Sequence, residues 1–266
     1  MPTVRANDID LYYERRGTGP RLLFCNGSGA TLESSELLIA PFTERFDVVA
    51  HDQRGLGRTS IPPGPCTMAD YAADALALMD HVGWDSCRVF GVSFGGMVAQ
   101  EIAVTEPARV ERLGLACTSP GGAGGSSYPL HELDTMPADE AQELGLRLLD
   151  TRFDPEFLAS HPADRGLAEM MVSRRTAAKT DEQRRGEAEQ LGARAGHDVT
   201  GRLGRVSCPT LVACGRYDGI APPPNSEAIA ARIPHAELRM YEGGHIFFAQ
   251  DPKALPEILD FLDEAD

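Results

Sequence analysis

The 266-residue chain has no long hydrophobic run: its apolar stretches span only a few residues each, far fewer than the roughly 20 that a transmembrane helix needs. Residues 1–17 contain no apolar signal region, so we predict no secretory signal and expect a cytoplasmic protein. Positive charge is scarce, since 25 Lys and Arg stand against 40 Asp and Glu and give a formal net charge of −15. This balance disfavours nucleic acid and membrane as partners, and a strongly anionic substrate would need a local basic pocket.

Paired cysteine motifs are also missing. The six cysteines form no C-x-x-C pair, and no His/Cys cluster has the spacing of a zinc site. Cys25, Cys117 and Cys214 lie in or beside apolar runs, as expected of small buried side chains in a reducing cytosol. We therefore predict buried thiols and no bound metal.

Strand-like and helix-like patterns alternate along most of the chain, which implies parallel strand pairing with helical crossovers. The alternation stops near Thr118, where a Gly/Ser-rich loop leads into a polar helical segment, and it resumes near Cys208. We predict an α/β core formed by residues 1–120 and 205–266, interrupted by a helical insert at residues 121–204. The strand-like runs cover residues 9–16, 22–25, 46–50, 88–92, 112–117, 210–214 and 237–241.

Ser93 is the candidate nucleophile. It lies in the stretch Gly91-Val92-Ser93-Phe94-Gly95, where a predicted strand meets a predicted helix. A tight strand–turn–helix exposes the serine hydroxyl beside a helix N-terminus, whose unpaired N–H groups stabilise an oxyanion. Gly91 and Gly95 have the spacing that this turn demands, because side chains there would collide across the bend.

A serine nucleophile needs a base and a carboxylate that orients the base. His245 lies on a loop before the last predicted helix and is the candidate base, whereas His81 and His235 are expected at the surface and His197 in a capping or packing role. Asp218 follows an apolar strand, and an open parallel sheet presents functional groups at the carboxyl ends of its strands. We predict that Asp218 orients His245.

An oxyanion hole needs two N–H donors. Phe94, directly after the nucleophile, is expected to supply one. The loop after the strand at residues 22–25 is expected to supply the other from Ser28, because Gly27 and Gly29 let its backbone approach closely.

Taken together, these features resemble the α/β-hydrolase superfamily across nearly the full chain, including its order of Ser, Asp and His. The helical insert and the residues after Ser93 are similar to those of 3-oxoadipate enol-lactonases and related small-ester hydrolases. The chain departs from the pattern at Asn26, where many relatives carry histidine. The matching residues are Gly91-Val92-Ser93-Phe94-Gly95-Gly96, Asn26-Gly27-Ser28-Gly29, Asp52-Gln53-Arg54-Gly55-Leu56-Gly57, Asp218 and Gly243-Gly244-His245.

The resemblance implies an α/β-hydrolase fold: a mostly parallel, twisted sheet with helices on both faces and the insert as a helical cap over a pocket. It implies a serine hydrolase that cleaves a small carboxylic ester or lactone through an acyl-enzyme on Ser93, with no cofactor. Gly27 and Ile246 beside the catalytic residues, and Leu144 and Phe157 in the cap, are candidate substrate contacts.

Alternative functions remain open at this point. Within the same fold these are a carbon–carbon bond hydrolase, a cofactor-free perhydrolase and an aminopeptidase. A rival of another class is a non-catalytic, hydrolase-like protein that binds small molecules. Arg174 and Arg175 in the insert would suit a carboxylated substrate or simply a solvated helix face. The sequence leaves undetermined the acyl and alcohol groups, the movement of the cap and the oligomeric state, a homodimer included.

Overall fold

The computed structural model describes residues 2–264. Within that range eight strands form one sheet in the order β1-β2-β4-β3-β5-β6-β7-β8. The pairs β1–β2 and β2–β4 are antiparallel and all the others are parallel, which confirms the predicted, mostly parallel sheet. The strands are β1 (Thr3–Ala6), β2 (Ile9–Arg16), β3 (Arg21–Cys25), β4 (Asp47–His51), β5 (Cys87–Val92), β6 (Val110–Ala116), β7 (Thr210–Gly215) and β8 (Glu237–Tyr241).

Helices connect the parallel strands, and four of them fall between β6 and β7. These four, α4 to α7, occupy the part of the chain where the sequence predicts a helical insert; its boundaries at residues 121 and 204 stay a prediction. The helices are α1 (Glu36–Thr43), α2 (Met68–His81), α3 (Phe94–Thr105), α4 (Ala138–Leu149), α5 (Pro155–Ser160), α6 (Pro162–Thr176), α7 (Asp181–Ala195), α8 (Pro223–Ala230), α9 (Phe247–Gln250) and α10 (Ala254–Asp263).

Alternate residues of the central strands bury on opposite faces of the sheet. In β3, Leu23 and Cys25 belong to the core that includes α2, α3 and α8, whereas Leu22 and Phe24 belong to the core that includes α1 and α10. All four side chains are completely buried. This two-residue period follows from strand geometry. Helices pack against both faces of the sheet, as predicted.

The sequence analysis missed β1 and α9. Each has four residues, which is too short for a periodic pattern to be recognised. The strand boundaries differ from the predicted ones by a few residues; β5, for example, begins at Cys87 and not at residue 88, and β6 begins at Val110 and not at residue 112.

All six cysteines are buried, as the sequence predicts, and none of them forms a disulfide with another. Burial raises the pKa of Cys25 to about 12 and that of Cys214 to about 11. Across residues 2–264, no helix is both long and apolar enough to cross a bilayer. The same part of the chain contains no group of three or more His, Cys, Asp or Glu side chains able to hold a metal ion.

Candidate active site

Ser93 lies at the turn between β5 and α3 in a backbone conformation that L-residues rarely adopt, with φ 55° and ψ −114°. Two glycines permit the turn because neighbouring backbone lies where their side chains would be. A Cβ at Gly91 would overlap the carbonyl oxygen of Gly95, and a Cβ at Gly95 would overlap the carbonyl oxygen of Cys25. Tight packing around the turn thus holds the Ser93 backbone in a strained conformation.

Replacing Gly95 with alanine is expected to lower the free energy of unfolding by about 3 kcal/mol, because the new methyl group must displace backbone of β3. Equilibrium urea unfolding measures the change. Gly192→Ala is the matched control, since Gly192 also lies in a helix but has open space where its Cβ would be. That control is expected to stabilise the protein slightly. Equal losses in the two variants would contradict the packing argument.

The structure brings together the three residues predicted to act at the site. His245 Nε2 lies 3.0 Å from Ser93 Oγ, and His245 Nδ1 lies 2.8 Å from Asp218 Oδ2. The other carboxylate oxygen of Asp218 accepts hydrogen bonds from the N–H groups of Ile220 and Ala221, both at 2.8 Å. Asp218 follows β7 and His245 follows β8, so both reach Ser93 from the carboxyl ends of neighbouring strands.

The electrostatics of the pair favour a charged imidazole. Burial disfavours the imidazolium and lowers the pKa of His245, but the negative charge and hydrogen bond of Asp218, together with a contribution from Cys117, outweigh this effect and raise that pKa above its ordinary value. When His245 is neutral, an Nδ1–H donated to Asp218 leaves the Nε2 lone pair facing the Ser93 hydroxyl. This tautomer is the one that accepts a proton from Ser93.

The last turn of α4 contacts the loops that carry Asp218 and His245. The His245 N–H donates to the carbonyl oxygen of Leu149 at 2.6 Å, and the Gly219 N–H donates to that of Leu148 at 3.0 Å. The insert therefore fixes the backbone of both loops. No sequence pattern indicated these contacts, because they use main-chain atoms alone.

The loop after β3 packs against the nucleophile. A Cβ at Gly27 would lie 3.6 Å from Ser93 Cβ. In this loop the Gly29 N–H donates to Gln190 Oε1 at 2.7 Å, whereas the Ser28 N–H makes no hydrogen bond to any residue that the structure describes. Phe94 is the first residue of α3, so its N–H has no partner within the helix. Both predicted oxyanion donors thus have N–H groups free of protein partners in the described range.

Two glutamines that the sequence analysis missed hold this loop. Gln53 Nε2 donates to the carbonyl oxygen of Asn26 at 2.7 Å, and Gln190 Nε2 donates to Gln53 Oε1 at 3.0 Å. Gln190 lies on α7 and is only 1% exposed. Gln53 lies in the turn at residues 52–57, one of the segments that resemble the α/β-hydrolase superfamily. Gln190 lies in a polar helix, where a glutamine gives no comparable signal. A helix of the insert therefore helps to position the loop beside Ser93.

The four predicted substrate contacts belong to different segments of the structure. Ile246 is half-buried directly after His245 and caps α9. Leu144 packs into a small apolar cluster around α4, and the Phe157 ring stacks on His161 with 3.9 Å between centroids. Their assignment to substrate binding, like that of Gly27, stays a prediction.

The chain was compared with known proteins. A family model described as the alpha/beta hydrolase fold matches residues 20–252. The 3-oxoadipate enol-lactonase 2 of Acinetobacter baylyi is 28% identical over 259 residues, which cover 95% of this chain and 92% of that protein. Poly(3-hydroxyalkanoate) depolymerase of Ectopseudomonas oleovorans is 31% identical over 256 residues, which cover 91% of this chain and 84% of that protein. The crystal structure of an enol-lactonase from Burkholderia xenovorans LB400 aligns with a TM-score of 0.80 at 24% identity, covering 99% of this chain and 100% of that one.

Proposed function

Since the chain belongs to the α/β-hydrolase fold family, we propose that it is a serine hydrolase that cleaves a small carboxylic ester or lactone. The observation that carries the proposal is the hydrogen-bonded series from Ser93 Oγ through His245 to Asp218. The names of two relatives, an enol-lactonase and a poly(3-hydroxyalkanoate) depolymerase, support a carbonyl substrate.

Acylation begins when Ser93 Oγ attacks the carbonyl carbon and His245 Nε2 takes the hydroxyl proton. Asp218 stabilises the imidazolium that forms. The tetrahedral intermediate collapses when the leaving oxygen takes that proton from Nε2, so the alcohol departs and the acyl group stays on Ser93. In a lactone the leaving oxygen remains attached to the acyl group, and nothing departs at this stage.

Charge on the former carbonyl oxygen is stabilised by the N–H groups of Ser28 and Phe94. Both donors are fixed before substrate arrives, because the loop of Ser28 is held by Gln53 and Gln190 and Phe94 begins a buried helix. Losing one such donor typically raises a reaction barrier by about 3 kcal/mol.

Deacylation repeats the same proton transfers with water. His245 takes a proton from water as its oxygen attacks the acyl carbon, and Ser93 Oγ leaves with that proton. The product is a carboxylic acid, or a hydroxy acid from a lactone. No step requires a metal or an organic cofactor.

We expect 4-nitrophenyl butyrate to give a burst of one nitrophenolate per protein molecule, followed by steady turnover. A fluorophosphonate is expected to abolish both phases, because Ser93 Oγ displaces its fluoride, and the peptide that contains Ser93 then gains the mass of the reagent less HF. Stopped-flow absorbance and peptide mass spectrometry measure these results. A protein that only binds small molecules would show neither burst nor turnover, and that outcome would overturn the proposal. Turnover of δ-valerolactone in a pH-stat then compares lactone with ester.

A further inference from the structure

A cavity of about 200 Å³ lies beside the last turn of α7 and the loop that follows β6. Met97, one helical turn after Ser93, forms part of its wall, so the cavity adjoins the first turns of the helix that carries the nucleophile. Several of its lining side chains are hydrogen-bonding groups: Ser126, Ser127, His131, Arg194 and His197.

Arg194 is the most informative of these side chains. It is only 7% exposed, and its buried Nε and Nη2 have no hydrogen-bond partner anywhere in residues 2–264. Burial lowers its pKa to about 10, so the guanidinium still carries its charge at neutral pH. A buried cation without a partner opposes folding, and buried polar groups are otherwise almost always paired. The unpaired guanidinium therefore indicates an anion that arrives from outside the protein.

The negative charge of Asp218 raises the pKa of Arg194, but the two side chains form no ion pair. Its carboxylate oxygens are engaged by His245 and by two backbone N–H groups. The interaction nevertheless places Arg194 within electrostatic reach of the candidate catalytic residues. The cavity and the nucleophile thus belong to one region of the molecule.

His197 is a second buried group on the cavity wall. It is 5% exposed, and neither ring nitrogen of its side chain has a hydrogen bond of ordinary geometry within residues 2–264, although the Ser119 backbone interacts weakly with the ring. Burial lowers its pKa to about 4, so the ring is neutral at pH 7 and presents one N–H donor. Arg194 and His197 lie on the same wall, and together they offer several donors and no acceptor carboxylate.

The other arginines considered for substrate binding are exposed, and each has a donor bonded within the protein. Arg174 Nη2 donates to Ser34 Oγ at 2.7 Å, and Arg175 Nη1 donates to the carbonyl oxygen of Ala141. Arg194 differs from both because its guanidinium is buried and its Nε and Nη2 have no hydrogen-bond partner within residues 2–264.

We propose that the cavity binds a carboxylate of the substrate through Arg194 and His197, so that the favoured substrates are esters or lactones that carry a second, free carboxylate. This inference rests on the proposed function and names its substrate class. It also reconciles an anionic substrate with an acidic protein, because the basic group is local and buried.

Paired substrates test the proposal. The mono-4-nitrophenyl esters of succinic, glutaric and adipic acid are compared with 4-nitrophenyl butyrate, valerate and hexanoate, in which a methyl group replaces the carboxylate. For the best-fitting length, wild type is expected to favour the carboxylated ester at least about tenfold in kcat/KM. Arg194→Met is expected to lose about 30-fold on that ester and less than about threefold on its neutral partner. Arg185→Met, on the exposed side of the same helix, is expected to change neither rate.

Thermal unfolding separates binding from a structural role. Without ligand, Arg194→Met is expected to have a Tm equal to or higher than that of wild type, because it removes an unpaired buried charge. Glutarate is expected to raise the Tm of wild type and of Arg185→Met but not that of Arg194→Met. A lower Tm together with equal losses on both ester classes would assign Arg194 a structural role and overturn the inference.

The two proposals fail in different ways. If wild type hydrolyses carboxylated and neutral esters equally well, the carboxylate site is refuted and the serine hydrolase proposal stands. If no ester is hydrolysed while glutarate still raises the Tm in an Arg194-dependent manner, the anion site stands and the hydrolase proposal fails.

Discussion

Replacing Ser93 with alanine is expected to lower kcat/KM for 4-nitrophenyl butyrate by about 10⁵-fold. The substitution removes the oxygen that bonds to the acyl carbon, so the acyl-enzyme route is lost entirely. Binding and the oxyanion donors remain, and they leave a small residual rate. Initial rates with substrate below its KM, corrected for spontaneous hydrolysis, give kcat/KM for the variant and the wild type.

The matched control is Ser28→Ala. The Ser28 hydroxyl is buried without a hydrogen-bond partner in the described range, and the proposed mechanism uses only the backbone N–H of that residue. Activity is therefore expected to fall less than about tenfold. Ser93→Ala is expected to unfold at the urea concentration of wild type, because alanine places no new atom in the turn. Substantial turnover by Ser93→Ala would assign the nucleophile to another residue.

The parallel part of the sheet was predictable because its strands are buried on both faces. Such strands contain short continuous apolar runs, as at residues 22–25 in β3 and 211–214 in β7. β1 and α9 gave no such signal, since four residues complete neither a strand alternation nor a second helical turn.

The positions of Ser93, Asp218 and His245 were predictable for a topological reason. Each follows a strand, and parallel neighbouring strands bring their carboxyl ends to one edge of the sheet. Residues more than a hundred positions apart in the chain therefore meet without any local sequence pattern linking them. Their distances and hydrogen bonds, by contrast, came only from the structure.

Two of the buried polar residues that were not predicted from the sequence, Gln190 and Arg194, lie on α7. This helix is polar on every side, so its sequence does not show which side is buried. The structure buries Gln190 and Arg194, one helical turn apart, against the core. The sequence drew attention instead to Arg174 and Arg175, which are exposed and each donate one hydrogen bond within the protein. Burial of a polar helix depends on tertiary packing, which local sequence does not encode.

Helix α7 connects two parts of the proposed site. Through Gln190 it bonds the loop that carries Ser28, and through Arg194 it lines the cavity proposed to hold the substrate carboxylate. A substrate held at the cavity would contact the helix that also positions an oxyanion donor. The insert is therefore a structural component of the candidate active site.

Replacing Asp218 with asparagine is expected to lower kcat/KM about 10⁴-fold at pH 7. The asparagine oxygen can keep the hydrogen bonds from Ile220 and Ala221, so the loop is expected to stay in place. The amide nitrogen would then face His245 Nδ1 and donate to it. This forces the imidazole proton onto Nε2, and that tautomer cannot accept the proton of Ser93.

The pH dependence distinguishes this explanation from a loss of folding. The proposed base is neutral His245, so kcat/KM is expected to rise as the pH rises through the pKa of His245. Asp218 raises that pKa, and the acid limb of the wild-type profile is expected to have its midpoint above pH 6.5. Asp218→Asn removes the largest of the interactions that raise the pKa of His245, although that with Cys117 remains, so the residual activity is expected to have its acid limb at lower pH.

Asp85→Asn is the control for the loss of one negative charge, because Asp85 is exposed on the surface. It is expected to leave both the rate and the acid limb unchanged, since solvent and salt screen a charge at that position. If Asp218→Asn instead kept its rate within tenfold and its acid limb at the wild-type pH, another group would have to orient His245. That result would refute the role proposed for Asp218 while leaving Ser93 as the candidate nucleophile.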